Sequence, residues 1–145
     1  MSGRLTSVTT HGMKLGHLLL VLTMLTTLAR AEVYTPEPGT PERKAIMDAM
    51  REPISQFAGT PVKFTGEVLV SGNWARFGGG AAPTNGKPPK ASVADEMELD
   101  LFALLRKENG TWKVLYWAFS GDISAYEDAR KKFPKAPKEL LPPLE

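Results

Sequence analysis

Apolar positions in this chain recur first at helical and then at strand spacing. Ala45, Ile46, Ala49 and Met50 return at intervals of three and four, which gives a helix one apolar face. Thr40 is a suitable N-cap, Pro41 fits the first helical position and Glu42 suits the positive end of the helix dipole, so the helix is predicted to begin there. Pro53 is expected to end or kink it, with residues 54–57 adding a turn at most and Gly59 with Pro61 closing the element. From Val62 the period falls to two: Val62, Phe64, Val68 and Val70 share one face, and Lys63, Thr65 and Glu67 the other. Ser71-Gly72-Asn73 turns this strand into a short second one over residues 74–77. Residues 78–94, rich in glycine, proline and lysine, have no period of their own and read as a long loop, either mobile or a binding element.

Residues 96–120 carry the clearest pattern, two apolar-rich strands on either side of Asn109-Gly110, a pair suited to a type I′ turn. Counting outward from that turn sets Lys107 against Trp112, Leu105 against Val114, Ala103 against Tyr116 and Leu101 against Ala118. With Met97 and Leu99 these form an apolar face expected to pack on the helix. The opposite face then pairs Arg106 with Lys113, Leu104 with Leu115, Phe102 with Trp117 and Asp100 with Phe119. It too is largely apolar, which is unusual for a sheet covered on one side only. After Gly121, Ser124-Ala125-Tyr126-Glu127 fits a capping box, with Tyr126, Ala129 and Phe133 along one side of a short helix that Pro134 stops. Pro137, Pro142 and Pro143 surround Leu140 and Leu141 in an extended tail. The expected fold class is therefore α+β: an N-terminal helix on a curved antiparallel sheet of about four strands, then a short C-terminal helix and a proline-rich tail.

That order resembles the cystatin-like and NTF2-like folds. At residue level, Pro41-Glu42-Arg43-Lys44-Ala45-Ile46, Gly72-Asn73-Trp74-Ala75 and the run from Leu104-Leu105-Arg106-Lys107 to Trp117-Ala118 look like a family of small exported bacterial proteins of unassigned function. Phe133-Pro134-Lys135-Ala136-Pro137 extends the likeness into the tail. The resemblance implies a bacterial periplasmic domain and carries over no catalytic residue.

The N-terminal segment changes how the charge is read. Arg4 and Lys14, an apolar stretch over residues 18–28, and Ala29-Arg30-Ala31 follow the order of a secretory signal, with cleavage expected after Ala31. The stretch is about half the roughly 20 residues that span a bilayer, so no stable membrane insertion is expected once it is removed. Met13 offers an alternative start. The expected organisation is a signal peptide over 1–31, an extended lead-in over 32–39, a single α+β domain over 40–133 and the tail over 134–145, located in the periplasm or secreted. The full chain has 18 Lys and Arg against 16 Asp and Glu. Losing Arg4, Lys14 and Arg30 leaves 15 basic residues against the same 16 acidic ones, so no electrostatic footprint for nucleic acid survives.

His11 and His17 also leave with the signal, and the chain has no cysteine. This excludes Ser-His-Asp and Cys-His catalysis, disulfides and any zinc site of imidazole or sulfur ligands, and no cofactor or metal is expected. Asp95, Glu96, Glu98 and Asp100 are the only carboxylate cluster, and strand alternation would set Glu98 and Asp100 on one face about 7 Å apart. Paired carboxylates serve acid–base chemistry or calcium, although charges at a strand start also simply solubilise it. Asp100, beside Phe102, Trp117 and Phe119, is the one weak catalytic candidate. Gly78-Gly79-Gly80 lacks the Lys-Ser/Thr of a phosphate loop, and Asn109-Gly110-Thr111 is explained by the turn rather than by glycosylation. Trp74 and Trp112 read as core anchors.

The second apolar face, Phe102, Leu104, Leu115, Trp117 and Phe119, is the candidate binding surface. Three occupants compete for it: the C-terminal helix and tail, a second copy or other protein partner, and a small ligand. The expected function is an exported, non-enzymatic binding or interaction module for a protein or peptide, of inhibitor or immunity type, with a homodimer allowed. The alternative is a small-ligand-binding or isomerase-like NTF2-fold protein using Asp100 in an aromatic pocket.

Overall fold

The computed structural model describes residues 31–141, and the expected signal segment, with the alternative start at Met13, lies outside the described residues apart from Ala31. Thr40 caps the first helix, α1 (Pro41–Ala58), its hydroxyl accepting from the Arg43 N–H at 3.4 Å. Pro53 neither ends nor interrupts α1, which runs through to a left-handed Gly59 at φ 73°. The buried positions are Ile46, Met50, Ile54 and Ala58, four residues apart, and they carry the helix across the proline because each turn adds to the same core. Ala45, expected on that face, is exposed.

The sheet has five antiparallel strands in sequence order: β1 (Val33–Tyr34), β2 (Val62–Ser71), β3 (Trp74–Pro83), β4 (Asp100–Glu108) and β5 (Thr111–Ser120). The extra strand comes from the lead-in, where Val33 and Tyr34 pair with Ser71 and Val70. β3 does not stop at Phe77. Gly78, Gly79 and Gly80 continue it, opposite Glu67, Gly66 and Thr65. Close approach requires glycine at Gly79 and at its neighbour Gly66: a Cβ on Gly79 would fall 2.2 Å from the Thr65 carbonyl oxygen, and one on Gly66 2.3 Å from that of Gly78. The long connection is therefore residues 84–99. It is tied to the end of α1 through Lys90 N–H on the Ala58 carbonyl at 2.9 Å and Thr84 N–H on Pro61 at 3.0 Å.

Glu96–Glu98 is a 3₁₀ turn rather than the start of a strand, so Met97 reaches the core from a turn, and Glu98 does not share a strand face with Asp100. The β4–β5 register follows the count from Asn109-Gly110 through Lys107 against Trp112 and Leu105 against Val114. A bulge then intervenes, and Leu104 pairs with Tyr116, Ala103 with Trp117, Phe102 with Ala118 and Leu101 with Phe119. One extra residue, Leu115, moves every later side chain of β5 to the face opposite the one expected.

The sheet consequently has two apolar sides. On one, α1 covers Val68, Val70, Phe77, Leu101, Ala103, Leu105 and Trp112, with Trp117 and Phe119 packed against the cluster. Phe57 stacks on Phe119 at 5.8 Å and meets the edge of Trp117 at 5.1 Å. On the other, α2 (Ser124–Lys132) and the tail cover Phe102 and Leu104 with Ala125, Ala129, Ala136 and Leu141. Ser124 opens α2 without the expected capping box: Asp122 Oδ1 accepts from the Ser124 N–H at 2.9 Å instead. The tail is not fully extended, for Lys138–Leu140 forms a 3₁₀ turn with Leu140 fully buried. No described helix is long and apolar enough to cross a membrane.

Candidate functional site

The bulge divides the five expected binding residues between two places. Phe102 and Leu104 lie beneath α2 and the tail, 3% and 0% exposed. Trp117 and Phe119 lie on the α1 side against Phe57. Leu115, at the bulge, is half-buried and belongs to neither cluster. No single surface of Phe102, Leu104, Leu115, Trp117 and Phe119 exists in this fold. Of the three occupants, α2 and the tail cover Phe102 and Leu104.

Where α2 leaves the sheet, a cavity of about 400 Å³ opens. Gly78 and Gly79 form its floor, the start of β4 supplies Asp100, Leu101 and Phe102, the end of β5 supplies Ser120, the turn after it Gly121 and Asp122, and α2 closes it with Ala125 and Tyr126. Gly78 leaves the floor without a side chain, and a Cβ there would meet the Tyr126 hydroxyl at 3.9 Å, an ordinary contact. Phe102 and Tyr126 form an aromatic wall with ring centroids 4.4 Å apart. At the far side Arg76 Nη2 donates to Glu67 Oε2 at 3.0 Å, and its Nη1 donates to the Leu140 carbonyl at 3.3 Å. Arg76 Nε is buried without a hydrogen-bond partner among the described residues.

The charges are therefore unevenly compensated. Glu67 neutralises Arg76, which leaves Asp100 and Asp122 as the cavity's surplus negative charge. Hydrogen bonds from the Ser124 hydroxyl and N–H, and from the Ser120 hydroxyl, hold the Asp122 carboxyl below the ordinary aspartate value, so it is ionised throughout the neutral range. Asp100 is exposed at the mouth. Glu96 and Glu98 are exposed on the 3₁₀ turn and line no part of the cavity. Among the described residues no three acidic side chains are grouped so as to hold a metal ion.

Sequence reasoning singled out Asp100 and Phe102 but missed Glu67, Arg76, Ser120, Asp122 and Tyr126. The available signal was Arg76 itself: a cation in a half-buried strand requires a partner, and cross-strand geometry restricts that partner to β2 or β4. A larger and more apolar groove, about 640 Å³, lies between Arg130 and Phe133 of the α2 end and Ala136, Lys138 and Leu141 of the tail. It borders the last described residue.

Together these features describe an α+β protein with a half-open acidic pocket at one end of its sheet. Comparison of the chain with protein families, curated proteins and solved structures finds no match.

Proposed function

We propose that this is an exported, non-enzymatic binding module whose ligand is a small polar molecule bearing a cationic or hydroxyl group, held in the Asp100 cavity. The observation that carries the reading is that Asp100, Asp122, Phe102 and Tyr126 border one recess of a size that suits a small ligand. Two carboxylates accept hydrogen bonds from ammonium or hydroxyl groups, and the aromatic wall adds attraction for a cation over a ring face. A protein or peptide partner seated on the second sheet face would need Phe102 and Leu104 accessible, and both are covered, which leaves the connection over residues 84–99 as the seat for such a partner. The isomerase-like alternative needs Asp100 as a desolvated base, and its exposure argues for binding instead. Export rests on the charged, apolar and small-residue order at the N-terminus.

The test is an NMR titration with small amines, a quaternary ammonium compound and neutral sugars. Amines or sugars are expected to shift the resonances of Gly78, Asp100, Ser120 and Tyr126 together, and Asp100→Asn is expected to weaken amine binding about tenfold. If none of these compounds at about 10 mM moves those resonances, the reading fails.

A further inference from the structure

The sheet ends at β5, and no strand lies along its outer edge among the described residues. The other edge is blunted at one end, where β1 pairs with Val70 and Ser71 of β2. β1 is two residues long and runs into Pro36 and Pro38, which lack the amide hydrogen that a ladder needs. β5 is ten residues long, its only charged residue is Lys113, and from Val114 to Phe119 every side chain is apolar or aromatic and half-buried. An edge of that length and composition is a template for another strand.

We propose that two copies of this chain pair β5 with β5, antiparallel, into a closed dimer whose two-fold axis passes at Ala118. Pairing of like edges closes on itself, whereas head-to-tail pairing of β5 with the outer edge of β2, where β1 covers Val70 and Ser71 and Arg43 occupies the Gly66 carbonyl at 3.1 Å, would not close. Charge favours one direction: Lys113, which also lies 3.6 Å from Glu108 of its own chain, stands near one end of the strand and Asp122 in the turn past the other. Antiparallel pairing brings each Lys113 beside the second copy's Asp122, whereas parallel pairing brings like charges together. Centring on Ala118 uses the regular stretch beyond the bulge and puts the smallest side chain on the axis. Trp117 then faces Phe119 of the second copy, twice, on one side of the sheet, and Tyr116 faces Ser120. Ile123, 52% exposed beside Asp122, becomes covered by the incoming strand. Ser120, Gly121 and Asp122 also border the cavity, so each copy places a lysine at the rim of the other's pocket and leaves Asp100 as the carboxylate free to meet a ligand there. The dimer does not depend on what that pocket binds.

The experiment is sedimentation equilibrium and native mass spectrometry on the protein produced from the full sequence, with Lys113→Glu, Asp122→Lys and the double reversal. Each single reversal is expected to raise the dimer dissociation constant roughly tenfold, and the double to bring it back to within about threefold. Because the chain has no cysteine, Lys113→Cys with Asp122→Cys gives a second measurement. The bulged strand from Lys113 to Ser120 and the bend beyond it separate the two positions within a chain by about 20 Å, so a disulfide forms only between copies. Cross-linked dimer from the double-cysteine protein, and not from either single variant, supports the arrangement. It is overturned by a monomer at about 100 μM, by dissociation constants unmoved by both single reversals, or by cross-linking through Lys113→Cys alone.

Discussion

Asp122 joins three jobs in one carboxylate: it caps α2, orders the Ser120 hydroxyl and lines the cavity. Its folded pKa lies below the ordinary 3.8 because Ser124 and Ser120 hydrogen bonds favour the ionised form. A lowered folded value means that the ionised carboxylate contributes stability fully above the unfolded value and loses it as pH falls through the folded one. Urea denaturation of wild type and Asp122→Asn from about pH 6 to about pH 2 is expected to show the wild-type advantage shrinking only at the acid end. Glycines supply a second residue-level contrast. Gly79→Ala sets a Cβ against the Thr65 backbone and is expected to cost about 2 kcal/mol or more, whereas Gly80→Ala, with nothing within 4 Å, should stay within about 0.5 kcal/mol of wild type. Denaturant midpoints of the two variants decide it. A glycine run reads as a loop in sequence because the reason for it, another backbone approaching from across the sheet, lies a dozen residues away.

Among the elements, those fixed by local chemistry were legible and those fixed by pairing were not. Thr40-Pro41 set the start of α1, Gly59 set its end, and Asn109-Gly110 set the hairpin and its first pairs, because each is a backbone preference of a few adjacent residues. Nothing in Val114-Leu115-Tyr116 marks the bulge, since all three side chains suit either face. That single residue sent Trp117 and Phe119 to α1 and left Asp100 beside Tyr126 instead. Phe57→Ala tests the result: it removes the ring against which Trp117 and Phe119 pack and should cost about 2–3 kcal/mol, with a change in tryptophan fluorescence. Had Trp117 stood on the α2 side, its emission would be indifferent to residue 57.

At the scale of the molecule, one sheet is closed by two covers drawn from opposite ends of the domain. The α+β class and the helix–sheet–helix order were readable from periodicity. The cavity was not, because its walls come from β2, β3, β4, the turn after β5 and α2. Leu140, fully buried, and Leu141 anchor the second cover, and Arg76 reaches the Leu140 carbonyl across 64 residues of sequence. Leu140→Ala is expected to cost about 3 kcal/mol in chemical denaturation. Ending the chain after Phe133 should expose Phe102 and Leu104 to a hydrophobic dye and open the Arg76 side of the cavity.

The second cover also has a place in time. A chain that emerges N-terminus first completes β5 about 20 residues before Leu141 follows. Over that stretch the strands can pair and α1 can dock, but Phe102 and Leu104 lack first α2 and then the tail over them. Such a chain would pass through a half-roofed stage whose bare flank is the kind of surface a holding chaperone grips, until Leu140 and Leu141 close over it.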